Sequence, residues 1–197
     1  MTPSSQLLQS FDIPGPRYTS YPTADRFVEA FAESEYLQAL ELRRHSARSL
    51  AYPLSVYVHI PFCESLCYYC ACNKIITGKY ERAVQYLKNL QTEVELLLPH
   101  LGSGNVVSQL HLGGGTPTFF RDPELRSLMQ TLSQAFQWKP DGEYSVEVDP
   151  RTVDALRLAT LRELGFNRLS LGVQDFDKQV QMAVHREQTV QQVQDLM

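Results

Sequence analysis

The sequence predicts an α/β fold built on a parallel sheet, and three observations carry that expectation. From Leu54 onward, strand-like and helix-like segments alternate, the pattern of successive βαβ units. The strand segments are short runs rich in β-branched and aliphatic residues, whereas the helical ones space their apolar residues three and four apart. A chain of 197 residues, 43% hydrophobic and 20% charged, supplies one sizeable core and excludes a disordered tail or a disulfide-stapled miniprotein.

Residues 1–50 read as an N-terminal arm and helix. The stretch around Gly15-Pro16 and Arg17-Tyr18-Thr19-Ser20-Tyr21-Pro22 repeats no helical or strand period, and a helix from Ser34 to Arg44 follows, with Ser34 as its cap. Residues 51–197 read as the first part of a barrel. Its first strand is Leu54 to Ile60, with Tyr57 and His59 on one face and Val56, Val58 and Ile60 on the other. A helix from Glu81 to Leu98 carries Val84, Leu87, Leu90, Val94 and Leu97, and Pro99 is expected to stop it. Strand Val106 to Leu112 leads to a helix capped by Asp122 with Pro123 at its first position. Strand Glu143 to Val148 turns Ser145, Glu147 and Asp149 to one side, and a helix from Thr152 to Leu164 ends at Gly165, a residue suited to the left-handed conformation. A fourth strand, Arg168 to Gly172, precedes a short helical piece and a second one starting near Thr189 that is cut off at Met197. Four strands do not close a barrel, so the expectation is an incomplete TIM-like barrel, a fragment with an N-terminal arm.

Charge narrows the function. Eighteen Lys and Arg against 22 Asp and Glu give a net charge of -4, with no basic stripe to gather nucleic-acid phosphates. No uncharged apolar run approaches the ~20 residues needed to cross a bilayer, and Met1 to Pro16 lacks a signal-peptide plan. The expectation is a cytoplasmic protein with neither a nucleic-acid nor a membrane partner.

All four cysteines, Cys63, Cys67, Cys70 and Cys72, fall within ten residues of one another, in the loop just past the first strand. In a reducing cytosol, thiols this crowded read as metal or cluster ligands rather than disulfides. The first three form Cys-x3-Cys-x2-Cys, which suits three ligands of a cubane iron–sulfur cluster and leaves the fourth iron open. Competing readings are a structural zinc site, which prefers two separated pairs, a closed four-cysteine cluster using Cys72, and inert buried thiols.

That spacing after a first barrel strand resembles the radical S-adenosylmethionine (SAM) superfamily. Further stretches narrow the resemblance: Gly15 to Ala24, Cys70-Ala71-Cys72-Asn73-Lys74, His111-Leu112-Gly113-Gly114-Gly115-Thr116-Pro117-Thr118, Glu147-Val148-Asp149-Pro150, Gly172-Val173-Gln174-Asp175-Phe176 and His185-Arg186-Glu187-Gln188. Together they look like the oxygen-independent coproporphyrinogen III oxidase (coproporphyrinogen dehydrogenase) family, of which the chain corresponds to the front part. The resemblance implies an oxidoreductase of haem biosynthesis with a 4Fe-4S cluster on Cys63, Cys67 and Cys70. It implies SAM contacts from Tyr57, Tyr69, Gly114, Gly115, Thr116, Glu147, Gln174 and Arg186. It also implies coproporphyrinogen III as substrate, two of whose propionates become vinyl groups, a low-potential electron donor, a monomeric complete protein, and further strands and a C-terminal domain beyond this chain.

Taken alone, these residues say less. Tyr57 and His59 serve equally well as packing inside a barrel, the glycine turn as a generic close approach to a ligand, and Gln174 and Arg186 as surface groups. Arg17, Tyr18 and Tyr21 suit a flat polyanionic ring but equally an arm packed across a barrel mouth. The alternative function is a related haem chaperone, against which the Cys70-x-Cys72 doublet and the arm both argue. A plain iron–sulfur electron carrier would leave the glycine turn and the large scaffold without purpose.

Overall fold

The computed structural model describes residues 4–12, 23, 26–46, 51–102 and 105–197. Arg17, Tyr18 and Tyr21 lie outside them. The chain divides into two compact units, Met1–Leu40 and Glu41–Met197. In the first, α1 (Ser5–Phe11) is capped by the Ser4 side chain, which accepts from the Leu7 N–H, and it buries no residue. α2 (Glu33–His45) runs from the first unit into the second, also without a buried residue. Ser34 stands inside its first turn rather than at the cap, and it is the Glu35 carboxylate that accepts the Ala32 N–H.

The second unit reads β1 (Leu54–Ile60), β2 (Phe62–Cys63), β3 (Ile75–Ile76), α3 (Glu81–Leu101), β4 (Val106–Gly114), α4 (Asp122–Ala135), β5 (Gln137–Val148), α5 (Ala155–Glu163), β6 (Arg168–Leu171), α6 (Lys178–Ala183) and α7 (Val190–Asp195). Its main sheet is wholly parallel, in the order β1-β4-β5-β6. Because side chains alternate along a strand, Val58, Ile60, Leu110, Leu112, Val146 and Val148 share one face. They are buried in one cluster with Leu87 of α3, Leu125, Leu128 and Leu132 of α4 and Leu161 of α5. Each such aliphatic side chain contributes roughly 1.5–3 kcal/mol on burial. The other face carries Tyr57, His59, His111, Ser145 and Glu147. A parallel sheet covered by helices on both sides would be aliphatic throughout, so the polar second face of this one is not packed under helices.

Several boundaries differ from those expected. Pro99 does not stop α3, which runs to Leu101. A proline in the last turn forfeits one hydrogen bond at most, and burial of Leu101 holds the turn until Gly102, at φ 74°, ends it. The cap of α4 is Arg121, whose backbone is extended; Asp122 is already helical and pairs with Arg157 of α5 while accepting from the Thr160 hydroxyl. β4 continues to Gly114. β5 begins at Gln137, because Pro140-Asp141-Gly142 is absorbed as a register shift against β4 rather than as a turn. α5 starts at Ala155, capped by the Asp154 carboxylate, and closes at Gly165, φ 95°, as expected. β6 stops at Leu171. α7 begins after Thr189, which forms a capping box with Gln192, and it ends at Asp195 rather than running off the chain. Among the described residues, no helix is long and apolar enough to cross a membrane.

Candidate functional site

The sheet and its loops assemble the site. As β1 ends, Pro61 leads into β2, which pairs in parallel with β3, so the cysteine loop is pinched at its base. The Ile75 N–H donates to the Pro61 carbonyl at 2.7 Å and the Thr77 N–H to the Cys63 carbonyl at 3.0 Å. Within the loop, the Lys74 ammonium donates to the Cys70 carbonyl at 2.9 Å.

The glycine turn is stitched alongside. The Gly115 N–H donates to the Ile60 carbonyl and the Thr116 N–H to the Phe62 carbonyl, both at 2.9 Å. The Thr116 hydroxyl lies 3.5 Å from Cys63 Sγ. A Cβ at Gly115 would stand 2.6 Å from the Pro61 oxygen and 2.8 Å from the Phe62 oxygen, and Gly114 adopts φ 117°. At Gly115 the turn therefore needs glycine to approach the chain's own backbone.

Cys67 is buried and is reached from across the fold. Arg186 Nη1 lies 3.4 Å and Arg151 Nη2 3.7 Å from its sulfur. Both guanidiniums also meet Asp149, Arg151 at 2.7 Å and Arg186 at 3.4 Å, with the carboxyl only 7% exposed. Burial pushes the Asp149 carboxyl up, but hydrogen bonds from the Arg151 side chain and N–H, with the charge of Arg186, hold it below the usual carboxylate range. Two guanidiniums against one carboxylate leave a positive balance beside Cys67, a place suited to an anionic ligand. Burial pushes the Cys63 thiol up, partly offset by the Thr116 hydroxyl. Burial likewise raises the Cys72 thiol, with Cys70 adding to the shift.

One cavity of about 1180 Å³ is lined by Cys63, Cys67, Cys70, Tyr69, Gly115, Thr116, Asp149, Arg151 and Arg186. It thus gathers three cysteines with Tyr69, Gly115, Thr116 and Arg186 of the expected site. Tyr57, Gly114 and Glu147 lie beside it on the polar sheet face, tied together by the Gly114 N–H donating to Glu147 Oε2 at 3.1 Å. Gln174 is exposed at φ 67°, next to Gly172 and outside the cavity lining. Cys72 is exposed and also outside the lining. Among the described residues, no three His, Cys, Asp or Glu side chains converge on a point that would hold a single metal ion. The donor set does fit a larger sulfur-ligated group: three soft thiols around one cavity, with guanidinium N–H groups aimed at one of the sulfurs.

Arg151 is absent from the sequence reading, which places His59 on the polar strand face and His111 in the glycine-turn motif but gives neither histidine a role in the site. Arg151 carried a local signal, standing two residues from an Asp at a strand end. The histidines were legible as inward-facing by alternation on β1 and β4, but nothing local names their partners on other strands.

Comparisons with known proteins point one way. The model of the Radical SAM superfamily matches residues 57–197. An oxygen-independent coproporphyrinogen III oxidase from Pseudomonas aeruginosa is 48% identical over 195 residues, covering 98% of this chain and 42% of the relative. One from Escherichia coli K12 is 52% identical over 182 residues, covering 92% and 38%. The solved structure of coproporphyrinogen III oxidase from Escherichia coli, described as a radical SAM enzyme, matches with a TM-score of 0.84 at 47% identity, covering 97% of this chain and 41% of that one. The chain spans about two fifths of the length of these relatives.

Proposed function

Since the chain belongs to the Radical SAM superfamily, we propose that it is the front part of an oxygen-independent coproporphyrinogen III oxidase: residues 51–197 the first part of the barrel, residues 1–50 an arm and helix before it. The reaction is the oxidative decarboxylation of two propionate side chains of coproporphyrinogen III to vinyl groups, giving protoporphyrinogen IX. The observation that carries the reading is the arrangement of the three cysteines of Cys-x3-Cys-x2-Cys around one cavity, with Arg151 and Arg186 directed at the middle sulfur.

Cys63, Cys67 and Cys70 would hold a 4Fe-4S cluster, and the open side of the cavity would take SAM. Bound there, the two would supply the radical chemistry that takes a hydrogen atom from a propionate, with loss of carbon dioxide and one further electron to an acceptor leaving the vinyl group. The chain's own residues bind and orient. Gly114, Gly115 and Thr116 offer backbone polar groups at the turn, Glu147 an acceptor for an amine or ribose hydroxyl, and Arg186 a cation for a carboxylate. Tyr57 and Tyr69 offer aromatic walls, and Gln174 an amide three residues past the end of β6. Cys72 is left out of the ligand set, since a fourth thiolate would close the position SAM needs.

Electron paramagnetic resonance of the anaerobically reconstituted, dithionite-reduced protein tests this, with and without SAM, beside Cys67→Ala. A reduced-cluster signal that changes on adding SAM and is lost in Cys67→Ala is the expected result, together with carbon dioxide release from coproporphyrinogen III by the full-length protein. A signal indifferent to SAM, or stable haem binding in place of turnover, would overturn the proposal.

A further inference from the structure

The polar face of the sheet holds a connected group of side chains that the cysteine cavity does not use. Tyr57, His111 and Ser145 are partners in one rung across β1, β4 and β5, and Glu147 follows two residues along β5. His111 Nδ1 lies 2.7 Å from the Ser145 hydroxyl, and Nε2 lies 3.2 Å from Glu147 Oε1. The imidazole also stacks on the Tyr57 ring, with centroids 5.8 Å apart and planes 15° from parallel.

We propose that His111 is a positioning residue that fixes Glu147 and Tyr57 for SAM, an inference that rests on the reading of those two as SAM contacts. Three further observations support it. Glu147 is held at both oxygens: the Ser145 hydroxyl donates to His111 Nδ1 at 2.7 Å in preference to the Leu110 carbonyl at 3.2 Å, His111 Nε2–H donates to Oε1, and the Gly114 N–H donates to Oε2 at 3.1 Å, so the carboxylate has one orientation. Its side chain is nevertheless 42% exposed, which leaves lone pairs directed at open space, where a ligand amine or hydroxyl can meet them. Next, the packing is built around the stacked rings: a Cβ at Gly113 would stand 2.9 Å from the Tyr57 ring and 3.1 Å from His111.

The Tyr57 hydroxyl is fixed as well. His59 Nε2 lies 2.8 Å from the Asn73 carbonyl, which only accepts, so Nε2 carries the proton and Nδ1 accepts from Tyr57 at 2.9 Å. The stack on His111 and the bond to His59 leave Tyr57 one conformation, tied through Asn73 to the cysteine loop. A carboxylate and an aromatic wall fixed before the ligand arrives spare it the entropy of ordering them.

Calorimetric titration of SAM into the anaerobically reconstituted protein tests this, comparing wild type, His111→Ala, His111→Gln, Glu147→Gln and the double His111→Ala/Glu147→Gln variant, with iron and sulfide assayed on each. Removing a hydrogen bond to a charged group should weaken SAM binding about tenfold in His111→Ala while iron content stays at the wild-type level. His111→Gln, whose amide can donate to Oε1, should recover most of that loss. In the Glu147→Gln background, the His111→Ala change should cost no more than about twofold, since the contact with the carboxylate is already gone and only the stack on Tyr57 is left to lose. Wild-type affinity in both His111 variants would overturn the inference, as would an undiminished His111→Ala effect once Glu147 is replaced. Absence of SAM binding by the wild type would instead bring down the underlying site reading.

Discussion

Asp149 shows what a single side chain does here. It is nearly buried and is the counter-charge for both guanidiniums at Cys67. Replacing it with Asn leaves two cations in a poorly hydrated place, a change that should destabilise the fold by about 3–5 kcal/mol and lower the urea midpoint accordingly. The pH dependence has a definite sign. A carboxyl whose folded pKa is depressed binds its proton more readily unfolded, so its stabilisation is complete above the unfolded value of about 3.9 and is lost as pH falls towards the lower folded value. The gap in urea midpoint between wild type and Asp149→Asn should therefore be constant from pH 7 down to about 5 and narrow below about 4. A gap that persists undiminished at pH 3 would mean that the ion pairs contribute nothing. Pairing of this kind was half legible. The Asp-Pro-Arg stretch sits in the sequence for inspection, but Arg186 comes from 37 residues away, and no local pattern brings it to Asp149.

Among the elements, the segment between α6 and α7 acts as a clamp on the cysteine loop. The Tyr68 N–H donates to the Val184 carbonyl, His185 Nδ1 donates to the Leu66 carbonyl, and the Tyr68 and His185 rings stack 5.3 Å apart. His185 accomplishes this at φ 54°, a left-handed conformation that costs a residue with a Cβ about 1–2 kcal/mol. The contacts and the strain can be separated. His185→Ala loses the contacts and keeps the strain, whereas His185→Gly loses the contacts and the strain together. Chemical denaturation should place His185→Ala below His185→Gly by about 1 kcal/mol, with both below wild type. Equal stability for the two variants would show that the clamp is unstrained. Elements themselves were the most legible part of the chain, because apolar spacing and caps such as Thr189 and Gly165 are local. Their ends were less so: Pro99 was overridden by the burial of Leu101, and Asp154 rather than Thr152 took the start of α5.

At the scale of the whole molecule, alternation predicted a parallel sheet, and in the order β1-β4-β5-β6 each strand lies beside the next main-sheet strand in the chain, joined to it by a helical crossover. The polar second face was visible in the same alternation, but which of its residues meet depends on register, which the sequence does not state. β6 lies at the sheet edge with much of its surface exposed, and an unpaired edge invites pairing with another chain. The 197-residue chain expressed alone should sediment as concentration-dependent oligomers, and Leu169→Lys on β6 should shift it towards monomer; a monomer at every concentration would show the edge to be inert. The clamp has a consequence in time as well. Its two halves, Leu66 and His185, are 119 residues apart. A ribosome adding roughly 5–20 residues per second needs about 6–24 s to make the second after the first. During that interval the nascent thiols have emerged in order but lack Arg186 and the histidine that holds their loop, so the loop reaches its finished geometry only with residues made long after the cysteines.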